Sequence, residues 1–313
     1  MNEISDAYFD GRKELQTRCA AHLTELGLPP KSIDAIFWGD FFSGNDGLPQ
    51  SLSGREIPEK KFEAVDFAGE VSPRIENKGP YERLCVTTGW VLDLAKAGTS
   101  EAWFDSLSGK VRKKLRWIRN SMPKMNCRVS PLVSDADFAD FEALYAAQFP
   151  KHPASSPGNR AVREIYRQME NEKRNFSRIL RDENGSALAA CLAYRNGKSV
   201  FYTHLTRAEG KFDKYSPGYY LTYMLIEELM RETGKITFFF MGPGYYEYKA
   251  ALGAEAYPVF RYVKKSWKNL FERINLRHRA RKEKRRLQSF PGTPAPETKN
   301  GMEDRRGGPP PEK

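Results

Sequence analysis

This chain has no long apolar run. About 18 apolar residues in a row would be needed to cross a membrane, and no such segment occurs. The opening residues, MNEISDAYFDGRKEL, are polar and acidic and lack the apolar stretch of a secretory signal. Cysteine is scarce: Cys19, Cys85, Cys127 and Cys191 stand far apart and form no C-x-x-C pair. That spacing argues against a zinc site and against a disulfide framework, and favours a reducing compartment. No metal is therefore expected, and the expected location is the cytoplasm, with the inner face of a membrane as its outer limit. No short-period repeat and no long heptad insertion is found.

What is present suits a packed core. The chain has 313 residues, enough for one large or two ordinary domains. Hydrophobic residues make up 40% and aromatic residues 12%, which excludes a wholly disordered chain. Lysine and arginine number 51 against 40 acidic residues, a formal net charge of +11 that favours anionic partners.

Apolar spacing predicts a helix over 5–27, ended by Gly27 and the Pro29-Pro30 pair. A strand is expected at 33–38, a long Gly/Ser/Pro-rich loop at 39–60, and strands at 62–67 and 84–94. Ser100 then caps a helix in which Phe104, Leu107, Val111, Leu115, Ile118 and Met122 fall on one face, and Pro123 stops it. Its other face carries Lys110, Arg112, Lys113, Lys114, Arg116 and Arg119. This is either a solvated basic face or a face for an anionic ligand.

From residue 126 the order is regular. A strand at 127–132 precedes helices at 135–149 and 160–173 and a strand at 176–181. Strands at 187–194 and 199–205 flank Asn196-Gly197, a strong hairpin signal. A helix at 217–232, a strand at 235–241, a helix at 245–252 and a strand at 257–263 complete a β-α-α-β-β-β-α-β-α-β order.

The stretch from His204 to Gly253 organises this half. Pro217 suits the first position of a helix, where no amide is needed, and Gly218 lets a ligand approach the backbone. The amides of Gly218, Tyr219 and Tyr220 at that positive helix end would face a phosphate, with Lys211 and Lys214 adding charge.

The element order is that of the GNAT (Gcn5-related) acetyltransferase fold, a mixed α/β (α+β) sheet flanked by helices. Tyr215-Ser216-Pro217-Gly218, the aromatic strand after it and the pair Tyr248-Lys249 resemble the BioF2-like, CelD-type acetyltransferase subgroup. The helix around Ser108, Lys110, Arg112, Leu115 and Arg116 resembles the same group's S-x-K-x-R-x-x-L-R segment. More distantly the chain resembles Fem-type aminoacyl transferases, which fuse two GNAT-like halves. The loop departs from the usual Q/R-x-x-G-x-G/A pattern and keeps one glycine. On this reading 1–124 is an N-terminal GNAT-like half or acceptor-side subdomain, and 125–263 is the acyltransferase domain.

The resemblance implies a transfer of an acyl group, usually acetyl, from acetyl-CoA or another acyl-CoA to an amine or hydroxyl. The CelD-type likeness points to a small-molecule or saccharide acceptor in polysaccharide or envelope metabolism. Tyr202, Thr203, Lys214, Tyr215, Ser216, Gly218, Tyr219 and Tyr220 are the expected cofactor-binding residues. His204 is the expected base, with Tyr202 or a water chain as substitutes, and Tyr248 the expected acid. Lys249 and Tyr245 are assigned to the acceptor. Gly242 and Gly244 would shape a loop where two strands part around the pantetheine arm. The alternatives are an aminoacyl-tRNA-dependent transferase and a non-catalytic binding module.

The end of the chain differs in character. Residues 264–287 form an expected amphipathic helix with Trp267, Leu270, Phe271 and Ile274 on one stripe. It leads into 277–286, from Arg277 to Arg286, where seven of ten residues are Lys or Arg. That run could meet a membrane surface, RNA or only solvent. Residues 288–313 have almost no apolar content and are expected to be a disordered tail.

Overall fold

The structure is a computed structural model; it describes residues 4, 12–27, 41–43, 61–65, 75–78, 81–150, 157–210, 212–232, 234–244 and 246–288. The expected strand at 33–38, most of the loop at 39–60, Lys211, Tyr245 and the tail beyond 288 lie outside the described residues.

In chain order the elements are α1 (Arg12–Glu25), β1 (Phe41–Ser43), β2 (Lys61–Val65), β3 (Ile75–Lys78), β4 (Tyr81–Asp93), α2 (Leu94–Ala97), α3 (Ser100–Ser106) and α4 (Gly109–Ser121). Then follow β5 (Arg128–Pro131), α5 (Asp135–Gln148), α6 (Pro157–Asn171), β6 (Arg178–Arg181), β7 (Ala187–Asn196) and β8 (Ser199–Arg207). The last are α7 (Pro217–Arg231), β9 (Phe238–Pro243), α8 (Glu247–Ala251), β10 (Glu255–Lys264) and α9 (Leu270–Gln288). From residue 126 this is the expected element order.

Three expectations are corrected. The helix expected from Ser100 to Pro123 is two helices, because the backbone turns extended at Leu107. Ser108 then caps α4 by accepting the Val111 amide. The loop at 39–60 contains the short strand β1, which pairs in parallel with β2. The strand expected at 235–241 begins at Phe238, because Lys235 closes a turn onto Glu232 and the Thr237 amide bonds the Lys198 carbonyl at 2.7 Å.

All strands join one mixed sheet ordered β1-β2-β10-β4-β9-β8-β7-β6-β5, with β3 also paired to β4. β8 and β9 run parallel, and their neighbours β7 and β4 run antiparallel to them. β4 comes from the first 124 residues yet sits between β9 and β10, so the two segments share one sheet.

Helices cover both faces. On one, α7 and α4 pack over Cys191, Ala193, Val200, Tyr202, Phe239 and Met241. On the other, α1, α5 and α6 pack over Leu192, Tyr194, Phe201, Phe238 and Phe240. These sets alternate along each strand, as the two-residue period of a pleated strand requires. Strands buried on both faces read as near-continuous apolar runs, which explains FFFM in β9 and LAACLAY in β7. The stripe expected on α4 is confirmed: Leu115, Ile118 and Met122 are buried, and Val111 packs against them.

Candidate active site

β8 and β9 pair only from Ser199, Val200 and Phe201 to Phe238, Phe239 and Phe240. Beyond those residues they part. The opening is a cleft of about 610 Å³, with Tyr202, Thr203, His204 and Leu205 on one wall and Met241, Gly242 and Pro243 on the other. Gly242 has φ +74°, a left-handed conformation that turns the β9 backbone out of register. The expected parting of strands is therefore present, at the expected place.

A β-bulge builds the first wall. Leu192 pairs with His204 and Ala193 with Tyr202, so Thr203 is an extra residue in β8. Bulges bend a strand and re-aim its side chains, and they favour functional sites. Here neighbours that would ordinarily alternate come together on the α5 and α6 side. Thr203 meets Tyr166 of α6, and the His204 ring sits edge-on to Phe141 and Tyr145 of α5.

The hydrogen bonds assign the imidazole tautomer. Thr203 has one hydroxyl proton, which it donates to the Leu192 carbonyl at 3.1 Å. Its oxygen therefore accepts from the Tyr166 hydroxyl at 2.7 Å and from His204 Nδ1–H at 3.0 Å. The lone pair is then on Nε2. Burial pulls the His204 pKa down to about 4, so the ring is neutral in ordinary buffers. Tyr202 points to the other face and donates to Thr222 at 2.9 Å, while Thr222 itself donates to the Gly218 carbonyl. Its hydroxyl is structural and does not stand in for the base.

An arc of aromatic rings forms the floor. Tyr248 meets Tyr219 edge-on at 6.2 Å and lies 6.1 Å from Tyr246. A cation covers each end: Lys114 lies 4.9 Å over Tyr219, and Lys249 lies 5.1 Å over Tyr246. Burial raises the Tyr248 pKa, so its proton is retained at neutral pH.

Lys249 is 3% exposed, and its ammonium donates to the Gly242 and Pro243 carbonyls, each at 3.1 Å. Burial brings its pKa down from 10.5 to about 7. A lysine with a depressed folded-state value destabilises the fold below about pH 7 and less so as pH rises toward its unfolded value. Unfolding free energy should thus rise between pH 7 and pH 9, by on the order of 2 kcal/mol. Urea melts at both values should show the rise in the native chain and lose it in Lys249→Met; equal slopes would remove the assignment.

The helix end differs from expectation. Ser216 caps α7 in a left-handed conformation, and its carbonyl accepts the amides of both Tyr219 and Tyr220. Those two amides are therefore already bonded and do not face a phosphate. The donors at this corner of the cleft are the Gly218 amide and the Ser216 hydroxyl, neither with a partner among the described residues, and the Lys114 ammonium.

The cleft brings together Tyr202, Thr203, His204, Ser216, Gly218, Tyr219, Tyr248 and Lys249 of the expected residues. Tyr220 is on the buried face of α7, and Tyr215 stacks on Trp117 at 5.1 Å, with Lys214 Nζ 4.9 Å from the centre of the Tyr215 ring. Tyr245 lies outside the described residues. Lys114, Tyr145, Gln148, Phe149 and Arg207 also line the cleft and had not been assigned to it. The four-residue spacing of Phe141, Tyr145 and Phe149 was the available signal, since it brings three rings together along one side of α5 and its C-cap.

A family model described as an acetyltransferase (GNAT) domain matches residues 106–250. Residues 106–250 form a GNAT acetyltransferase domain. Every cleft residue lies inside that span. Acyl transfer is the chemistry that the family's description names. No curated protein matches the chain. Among solved structures, the chain overlaps L-PGS from Bacillus licheniformis at 13% identity and TM-score 0.43, covering 64% of this chain and 66% of that one. FemX overlaps at 12% identity and TM-score 0.45, covering 66% and 68%. A GCN5-related N-acetyltransferase from Sphaerobacter thermophilus overlaps at 10% identity and TM-score 0.37, covering 66% and 62%. Likenesses of this size carry no inference about activity. The chain spans about two thirds of each.

Proposed function

We propose that the GNAT domain moves an acyl group, acetyl in the simplest case, from acyl-CoA to an amine or hydroxyl of a small-molecule or saccharide acceptor. The observation that carries this reading is the parted pair of strands, with a neutral histidine on one wall and a protonated tyrosine on the floor. The donor set suits the diphosphate of CoA: a free amide at Gly218, a hydroxyl at Ser216 and a cation at Lys114. The thioester supplies an activated acyl carbon; the chain's own residues supply the rest.

His204 Nε2 takes the proton of the acceptor as its nitrogen or oxygen bonds the acyl carbon. Tyr248 gives a proton to the sulfur as the carbon–sulfur bond breaks. Lys249 adds positive charge beside the carbonyls of Gly242 and Pro243. Tyr145, Phe149 and Tyr246 offer ring faces to an acceptor, and such faces suit the apolar side of a sugar. The CelD-type likeness favours an envelope or polysaccharide precursor made in the cytoplasm as the acceptor.

Calorimetry with acetyl-CoA tests the donor. Binding should weaken about tenfold or more in Lys114→Glu, which sits on an exposed face and leaves the core intact. Gly218→Trp should abolish it, because even a Cβ there would lie 3.3 Å from Leu205. Binding of aminoacyl-tRNA without any acyl-CoA would replace this reading with a Fem-like one. Binding of neither would leave a non-catalytic module.

A further inference from the structure

The C-terminal helix α9 plays no part in the cleft, yet it is held firmly to the sheet. Leu276 and Ala280 pack on Leu84 and Val263. Arg273 and Arg277 donate to Glu82 at 2.7 and 2.5 Å, and Glu82 is fully buried on β4. Burial alone would raise the Glu82 pKa, but the bonds from Arg277 and Arg273 hold it below the usual carboxylate range. One face of α9 is thus docked in a fixed orientation.

A second face is left outward. Leu270, Phe271 and Ile274 share it, preceded by Trp267 in the turn before the helix. Trp267 is 89% exposed and Phe271 82% exposed, the two most exposed large apolar side chains among the described residues. Continuing at steps of three and four, the same face carries His278, Arg281, Lys282 and Arg285, all exposed. Aromatic and aliphatic groups therefore occupy one end of the face and cations the other. Between residues 264 and 286 there are eleven Lys or Arg and two acidic residues, so the surrounding field is strongly positive. No helix among the described residues is long and apolar enough to cross a membrane.

We propose that this outward face of α9 docks on the surface of a bilayer containing anionic phospholipid, with Trp267 and Phe271 entering the headgroup boundary and Arg281, Lys282 and Arg285 meeting lipid phosphates. Leaving two large rings in water is unfavourable, and a bilayer boundary would remove them from it. The neighbouring cations add electrostatic attraction to anionic lipid at such a surface. Nucleic acid would use the cations but has no need of a contiguous Trp, Leu, Phe and Ile stripe in a packed helix. A membrane needs both parts, and α9 presents both on one rigid face. The docked face fixes how the rest of the molecule would stand on the bilayer, because Arg273 and Arg277 tie the helix to β4 of the central sheet. This inference is independent of the acyl-donor reading.

The test uses the full chain and flotation with vesicles. Vesicles of phosphatidylcholine with roughly one third phosphatidylglycerol should carry the protein, and phosphatidylcholine alone should not. Trp267→Ser with Phe271→Ser should lower partitioning by about tenfold or more, and so should Arg281→Glu with Lys282→Glu. These side chains are exposed, so both variants should melt with the native chain. Binding should weaken as salt is raised. The proposal falls if neither vesicle binds, or if the ring substitutions leave partitioning unchanged. It also falls if RNA binds and displaces vesicles through the cations alone, or if the native chain is a dimer that the ring substitutions dissociate.

Discussion

A His204→Ala variant should turn over acyl donor and acceptor about a hundredfold more slowly than the native chain, with donor affinity nearly unchanged. The size follows from what the ring is placed to do. Its Nδ1 proton is committed to Thr203, which leaves Nε2 as the only lone pair on the imidazole. Its low pKa of about 4 keeps that lone pair free at neutral pH. The acid limb of kcat/KM should therefore fall near pH 4 and not near the ordinary histidine value. On the proposed role of Lys249, a second limit is expected at about pH 7, above which its positive charge is lost.

Two further substitutions separate position from chemistry. Thr203→Val removes the acceptor that fixes the tautomer, and should lower kcat while moving the acid limb. Tyr248→Phe removes the proposed proton donor and should cost about tenfold or more in kcat. Steady-state rates across pH would decide; unchanged rates in His204→Ala would remove the base assignment altogether. The sign of the stability effect is also set. The folded value for His204 lies below its unfolded value, so its contribution is lost as pH falls from about 6.5 toward 4.

The second large effect concerns the fold, at Gly89. This residue pairs with Tyr257 on one side and Pro243 on the other, in the middle of β4. A Cβ built there would lie 2.2 Å from Cζ of Tyr257 and 2.3 Å from Cε2. The tyrosine ring lies directly across the glycine. It is 2% exposed and meets Phe240 edge-on, so it has no free direction in which to retreat. Gly89→Ala should therefore destabilise by about 3 kcal/mol, at the high end for overpacking a core. Urea unfolding would measure it, and an unchanged midpoint would mean the ring can move after all. Tyr257→Leu should recover part of the loss when combined with Gly89→Ala, because the two sites are in contact and their effects should not add. Activity should fall as well. The neighbouring Thr88 carbonyl and Trp90 indole hold Gly244, at the end of the β9 wall, each through a bond of 2.9 Å.

The local pattern of this chain was readable without coordinates. The stripe from Val111 to Met122, the Asn196-Gly197 hairpin and the Pro217 helix start depend on spacings of a few residues, and each appears where expected. The likeness to the GNAT fold rested on such local motifs, and the family model matches at that level. Residue type alone picked out His204, Tyr248, Lys249 and Gly218, and the structure places all four at one cleft.

What could not be read was whatever depends on register or on distant partners. Nothing in the sequence places β4 between β9 and β10, because strand pairing is set by contacts far apart in the chain. Nothing marks Thr203 as a bulge, yet that one extra residue turns its hydroxyl toward His204 and assigns the proton. The three free amides expected at α7 became one, because the Ser216 carbonyl already accepts two of them. The pKa values of His204 and Lys249 likewise come from burial by elements that the chain supplies elsewhere. Sequence alone determined which residues could do the chemistry and on which elements they sit. Tertiary structure decided which of them meet, and in what protonation state, because hydrogen-bond partners and desolvation are properties of the assembled sheet.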